Sequence, residues 1–92
     1  MTVDNAYNII QRYNGILIDV RSLQEYNEYH LRGAKLIPTY EMSGKIAKAV
    51  PDKSRVIVLY CQSGARSKKA QTILKQMGYR NVYNIQGGLN NM

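Results

Sequence analysis

The feature that most constrains this chain is Val56-Ile57-Val58-Leu59-Tyr60, an unbroken apolar run that leads straight into the only cysteine, Cys61. Short β-branched runs without polar alternation belong to strands buried on both faces, and such strands occur in parallel sheets covered by helices on either side. Ile16-Leu17-Ile18, between Gly15 and Asp19, is a second run of this kind. Ala34 to Ile37, stopped by Pro38, and Val82 to Ile85 read as two further strands, with the run at 56–60 expected in the middle of the sheet.

Helical periodicity fills the gaps between these runs. Ala6, Ile9, Ile10 and Tyr13 recur with the spacing of one helix face, with Thr2 or Asp4 as N-cap and Asn14-Gly15 as stop. Ser22-Leu23-Gln24-Glu25 forms a capping box that opens a helix predicted to end near Gly33. A weaker helix over about residues 40–50 would put Met42, Ile46, Ala49 and Val50 on one face. Ala70, Ile73, Leu74 and Met77 mark a third amphipathic face, closed by Gly78. The alternation predicts an α/β fold: a central parallel sheet of four to five strands, helices on both faces and right-handed crossovers. The 92 residues limit it to one domain over 1–92, with a modest core and a shallow surface site.

Ligands of such sheets bind beyond the carboxyl ends of the strands, which here selects Asp19-Val20-Arg21 and the segment from Cys61 onward. In Cys61-Gln62-Ser63-Gly64-Ala65-Arg66-Ser67 the small residues let the backbone curl so that successive N–H groups face inward as an anion nest. The following helix adds its free N–H groups and its dipole, so the loop is built to hold a thiolate. Charge placement agrees with this. The chain carries 13 basic against 6 acidic side chains, and the whole net charge of +7 lies in its second half: from Lys53 onward no acidic side chain occurs. Arg66, Lys68 and Lys69 sit at the start of a helix, where cations oppose the macrodipole and so disfavour the helix while favouring an anion. Taken alone, Lys68 and Lys69 are equally well read as a solvated helix face, and an arbitrary lone cysteine as a core thiol; the loop around Cys61 tips the reading towards function.

Several classes drop out. One Cys and one His make neither an internal disulfide nor a four-ligand zinc site, and no metal or other cofactor is expected. Without a signal-like N-terminus or a long apolar stretch, the chain reads as soluble and cytoplasmic, with no membrane partner. Nucleic acid is not expected as a partner either. Lys68-Lys69 is the only adjacent basic pair of the second half, no recognition motif is present, and all eight aromatics are Tyr.

Three ordered stretches resemble the rhodanese-like sulfurtransferases, specifically their single-domain members. Leu17-Ile18-Asp19-Val20-Arg21, Glu25-Tyr26, His30-Leu31-Arg32-Gly33-Ala34 and Ile37-Pro38 resemble the family's N-terminal motif. Cys61 to Ser67 resembles its active-site loop, and Gly78-Tyr79-Arg80-Asn81-Val82-Tyr83 with Gly87-Gly88 its C-terminal motif. The resemblance implies a rhodanese-like fold and sulfane-sulfur transfer through a persulfide on Cys61. A small anionic donor such as thiosulfate, or a persulfide or polysulfide, would supply the sulfur, and cyanide or a thiol, a thioredoxin-like protein among them, would accept it. Arg66 would orient the donor, whose anionic part meets the loop of Gln62, Ser63, Gly64, Ala65 and Ser67. Asp19 and Arg21 mainly brace that loop in the family; read locally they cap a helix, with a salt bridge to Glu25. His30 is the only candidate for a Cys-His pair, but it falls where the family uses it structurally.

The related phosphatases and arsenate reductases of the Cys-loop-Arg type frame the alternative chemistry. In the phosphatases five residues separate Cys from Arg, whereas this chain has four, Gln62 to Ala65, which favours sulfur over phosphoryl transfer. A non-catalytic anion-binding or regulatory module is the other alternative, opposed by the retention of Cys61 and Arg66. Two departures from the family pattern stand out. Ser63 occupies a position that is basic in some thiosulfate-specific members, which leaves the preferred donor open, and Met92 stands near the usual Trp, from which a short or frayed last helix is expected.

Overall fold

Each strand run of the sequence becomes a strand of one parallel sheet. The computed structural model describes residues 1–91, in the order α1 (Val3–Tyr13), β1 (Ile16–Asp19), α2 (Leu23–Glu28), β2 (Lys35–Leu36), a 3-10 turn at Thr39–Glu41, α3 (Met42–Ala49), β3 (Ile57–Tyr60), α4 (Ala65–Gln76), β4 (Val82–Asn84) and a final 3-10 turn at Gly88–Asn91. The strands lie in the order β2-β1-β3-β4, all parallel. β1 and β3 are buried at every position, as runs with no polar alternation require.

Strand pleating divides the core in two. Ile16, Ile18, Ile57, Leu59 and Cys61 point to the side covered by α3 and α4, where Met42, Ile46, Ala70 and Leu74 meet them. Leu17, Val58 and Tyr60 point to the other side, against Ala6 of α1 and Leu31 and Ala34 of the segment after α2. Ile18 pairs with Leu59 and Asp19 with Tyr60, so β1 and β3 end level and deliver Asp19 and Cys61 to the same sheet edge.

The helix signals are realised locally. Thr2 Oγ1 accepts the Asn5 N–H at 3.1 Å, and Asn14 closes α1 in the left-handed region at φ 52°. The Ser22–Glu25 capping box is formed in both directions.

Three expectations are corrected. The second helix stops at Glu28 rather than near Gly33, because tertiary groups capture the backbone that follows: the Tyr29 carbonyl accepts from Arg21 Nη2 at 2.5 Å and the Leu31 N–H donates to Tyr60 Oη at 2.9 Å. The strand expected at 34–37 covers only Lys35–Leu36, since the Ala34 N–H is used in a turn to the Leu31 carbonyl. Met42 and Ile46 of α3 with Val50 at its C-terminal cap make the buried stripe, and Ala49 falls off it into solvent. A 3-10 turn at Gly88–Asn91 is the last described element, and the expectation that concerned Met92 lies outside the described residues. Among the described residues no helix is long and apolar enough to cross a membrane.

Tyr60 links the central strand to the captured segment. Tyr60→Phe leaves the buried Leu31 N–H without a partner, so urea unfolding should show a loss of about 1–3 kcal/mol; an unchanged midpoint would mean that this segment is held by packing alone.

Candidate active site

Cys61 follows directly on β3, and the chain then turns through Gln62 and Ser63 into Gly64, whose φ of 99° suits glycine. Gly64 occupies the N-cap position of α4 but offers no side chain to it. The Cys61 sulfur takes that role: the Gly64 N–H donates to Sγ at 3.0 Å, and the N–H groups of Arg66 and Ser67 also favour its ionised form. The Ser67 hydroxyl, fully buried, lies 3.6 Å from Sγ, 3.1 Å from the Gly64 carbonyl oxygen and 2.5 Å from Asn84 Oδ1. Burial pushes the Cys61 thiol up, but the donations from Ser67, Gly64 and Arg66 outweigh it, and the net displacement is downward.

The loop is clamped from the C-terminal side. The Leu89 and Asn90 N–H groups donate to the Cys61 and Gln62 carbonyls at 3.0 and 2.9 Å, and Gln62 Nε2 donates to Asn90 Oδ1 at 2.7 Å. This demands extreme closeness: a Cβ on Gly88 would stand 2.1 Å from the Cys61 carbonyl oxygen, and one on Gly64 3.0 Å from the Gly87 nitrogen. The Gly87-Gly88 pair is therefore what lets the terminal turn seat against the loop.

Arg66 does not reach freely into solvent. Its Nη1 and Nη2 donate to Glu25 Oε1 and Oε2 at 2.6 and 2.8 Å, a two-pronged pair between α4 and α2. The Arg66 guanidinium holds Glu25 down at about 2, and Arg66 itself is raised, first by Glu25 and further by the neighbouring Cys61 sulfur. Glu25 is thus spent on Arg66, not on Arg21. Arg21 is buried and pairs with the wholly buried Asp19, its Nη2 2.8 Å from Oδ2, with a further bond from its own N–H to Oδ1 at 2.9 Å. That corrects the salt bridge to Glu25 expected for this strand end. Tyr60 stands next to the pair, its hydroxyl raised first by burial and then by Asp19.

Cys61, Gln62, Ser63, Gly64, Ala65, Arg66 and Ser67 thus form one loop, with Asp19 and Arg21 behind it. Sγ sits at the loop's centre, Ser67 beneath it, Gln62 turned to the terminal turn, and Ser63 and Ala65 exposed at the rim. Ser63 and Gly64 border an open cavity with Lys68, Gln71, Tyr83 and Asn84. His30 lies apart from this cluster, stacked on Tyr26 with ring centroids 3.8 Å apart and with Nδ1 2.9 Å from the Tyr26 carbonyl. Among the described residues no group of three His, Cys, Asp or Glu side chains is arranged to hold a metal ion. The sequence reading missed Asn84 and Asn90, whose types carry no local signal, and the pairing of Glu25 with Arg66. The Gly87-Gly88 motif was the one visible trace of the clamp.

A parallel α/β sheet whose central strand delivers a cysteine into a loop of N–H groups, with an arginine at its rim, defines a Cys-loop domain made to stabilise anionic sulfur. The comparisons assign the particular family. A family model described as Rhodanese-like domain matches residues 2–92. The chain is 44% identical over 70 residues to "Thiosulfate sulfurtransferase PspE" of Escherichia coli (strain K12), covering 76% of this chain and 67% of that protein. It is 30% identical to the "tRNA uridine(34) hydroxylase" of Buchnera aphidicola, over 97% of this chain but only 30% of that longer protein. A solved structure described as "rhodanese with anions from E. coli" superposes with a TM-score of 0.79 at 42% identity, covering 85% of this chain and 91% of that one. The chain belongs to the rhodanese-like domain family.

The clamp is open to a paired test. Gly33→Ala faces empty space and meets only the strain of its φ of 80°, so it should lower stability by about 1 kcal/mol and leave Cys61 alkylation unchanged. Gly88→Ala must displace the Cys61 carbonyl, and should both destabilise the fold and slow iodoacetamide alkylation of Cys61 in the folded protein; equal alkylation in the two variants would show that the clamp does not shape the loop.

Proposed function

We propose that the protein is a sulfurtransferase that moves sulfane sulfur from thiosulfate, or from a related persulfide or polysulfide, to cyanide or a thiol by way of a persulfide on Cys61. The observation that carries this reading is the set of N–H donors converging on Sγ, which lowers the thiol and favours its thiolate form without a general base. The thiolate attacks the outer sulfur of the donor, the S–S bond breaks with its electron pair, and sulfite leaves. The terminal sulfur of the Cys61 persulfide then carries the negative charge that the loop stabilises. A cyanide or thiolate acceptor attacks that sulfur, leaving as thiocyanate or a new persulfide and returning Cys61 as thiolate. Arg66 is the donor-orienting group in this scheme, Ser67 positions the sulfur, and Gln62, Ser63, Gly64 and Ala65 form the cradle. Asp19 and Arg21 brace the strand end from behind.

The similarity to an E. coli thiosulfate sulfurtransferase and to an E. coli rhodanese solved with anions supports this assignment. The four residues between Cys61 and Arg66 support sulfur transfer over phosphatase chemistry. The tRNA hydroxylase relatives are longer proteins, of which this chain spans 30% in the Buchnera case, and RNA is no part of the reading. A thioredoxin-like protein fits as thiol acceptor, and the cytoplasm fits as the compartment in which a lone reactive thiol stays reduced.

Intact-mass spectrometry after incubation with thiosulfate should show a gain of one sulfur on the wild type and none on Cys61→Ser. Gain only from a polysulfide or persulfide would move the donor and keep the chemistry. No gain from any donor would favour the anion-binding module, and a phosphate burst from an aryl phosphate that depends on Cys61 would favour the phosphatase.

A further inference from the structure

The arginine that should receive an oxyanionic donor is already occupied by an internal one. Both oxygens of Glu25 take both terminal nitrogens of Arg66, at 2.6 and 2.8 Å, the arrangement in which a sulfonate would be bound. Arg66 also lies near enough to the Cys61 sulfur to respond to its charge, while Cys61 has no exposed surface. Glu25 cannot drift away from this contact. Its Oε1 also accepts from the Ser22 N–H and hydroxyl, each at 3.1 Å, so the capping box of α2 aims the carboxylate at Arg66. Near the loop rim Ser63 supplies no charge in place of the neutralised guanidinium, and Lys68 lines, with Ser63 and Gly64, the cavity that also reaches Asn84.

We infer that Glu25 is a specificity-determining residue: its carboxylate competes with oxyanionic donors for Arg66, and so handicaps thiosulfate relative to persulfide donors that present no sulfonate. The inference deepens the sulfurtransferase reading and rests on it for the donor comparison. A dianion has to displace one carboxylate from a guanidinium and then sit close to it. A persulfide of a small thiol needs only its outer sulfur within reach of Sγ and makes no demand on the fork. Because Glu25 is held at about 2, protonation does not release Arg66 at any working pH, and displacement is left as the route. The pair is about one-third exposed, with side-chain exposures of 43% and 31%, so water screens it and the handicap is moderate, not absolute.

Glu25→Gln tests this cleanly, because glutamine keeps a carbonyl oxygen for the Ser22 capping box while losing the charge. Calorimetry with inorganic sulfate, an unreactive oxyanion, should give about fivefold tighter binding to Glu25→Gln than to the wild type, the size expected of a partly exposed ion pair. The ratio of kcat/KM for thiosulfate to that for a small-thiol persulfide should rise by a similar factor, carried by KM. Ser22→Ala loosens the hold on the carboxylate while keeping its charge, and should give a smaller change in the same direction. Unchanged or weaker sulfate binding in Glu25→Gln, an unmoved donor ratio, or a larger change in Ser22→Ala than in Glu25→Gln would each overturn the inference. If neither donor loads sulfur on the wild type, the sulfurtransferase reading fails, and the sulfate titrations alone decide whether Glu25 competes for Arg66.

Discussion

Everything at the site depends on one substitution of roles: a cysteine sulfur stands where a helix would ordinarily place a Ser, Thr or Asp side chain. α4 begins at a glycine with no capping group, and its free N–H groups turn to Sγ instead. The helix and the thiolate therefore stabilise one another. The helix start needs an acceptor, the ionised sulfur needs donors, and neither is available from water in a buried corner. Burial alone would raise the thiol, so the lowered value rests on the donors being held in place.

The terminal turn holds the loop, and a buried ion pair fixes the strand end beside it. On one side the terminal turn grips the loop through the Cys61 and Gln62 carbonyls, at a distance that only glycine at 88 permits. On the other, the Asp19–Arg21 pair locks the end of β1 and reaches the Tyr29 carbonyl, fixing the chain that leaves α2. Both partners of that pair are buried, and removing either would strand a charge, for which about 3–5 kcal/mol is typical. α2 in turn carries Glu25 to Arg66. The rim of the site thus depends on a helix only six residues long, Leu23–Glu28, whose start is secured by its capping box and whose end is set by tertiary hydrogen bonds.

What the sequence made legible follows the range of the interactions. The cap at Thr2, the stop at Asn14, the capping box at Ser22 and Glu25, the central strand and the curled loop after Cys61 are all decided within a few residues, and all are present. Helix α2 was read too long because Arg21 and Tyr60 recruit its would-be last turn from outside the helix, and no periodicity in that segment encodes their arrival. The same limit explains the site. Glu25 and Arg66 are 41 positions apart, and Gly88 meets Cys61 across the sheet edge, so their residue types are visible in the chain while their partnerships are not. The charge surplus of the second half pointed to a positive potential around Cys61, yet one of its cations is paired with an acid from the first half.

The folded loop, not the cysteine by itself, lowers the Cys61 thiol. Titrating the ultraviolet absorbance of the thiolate in the folded protein and again in concentrated urea isolates that contribution. The midpoint should be lower in the folded protein, with the difference lost on unfolding. An equal midpoint, or a higher one in the folded state, would mean that burial balances or outweighs the donors at Cys61, and that the loop does not lower the thiol.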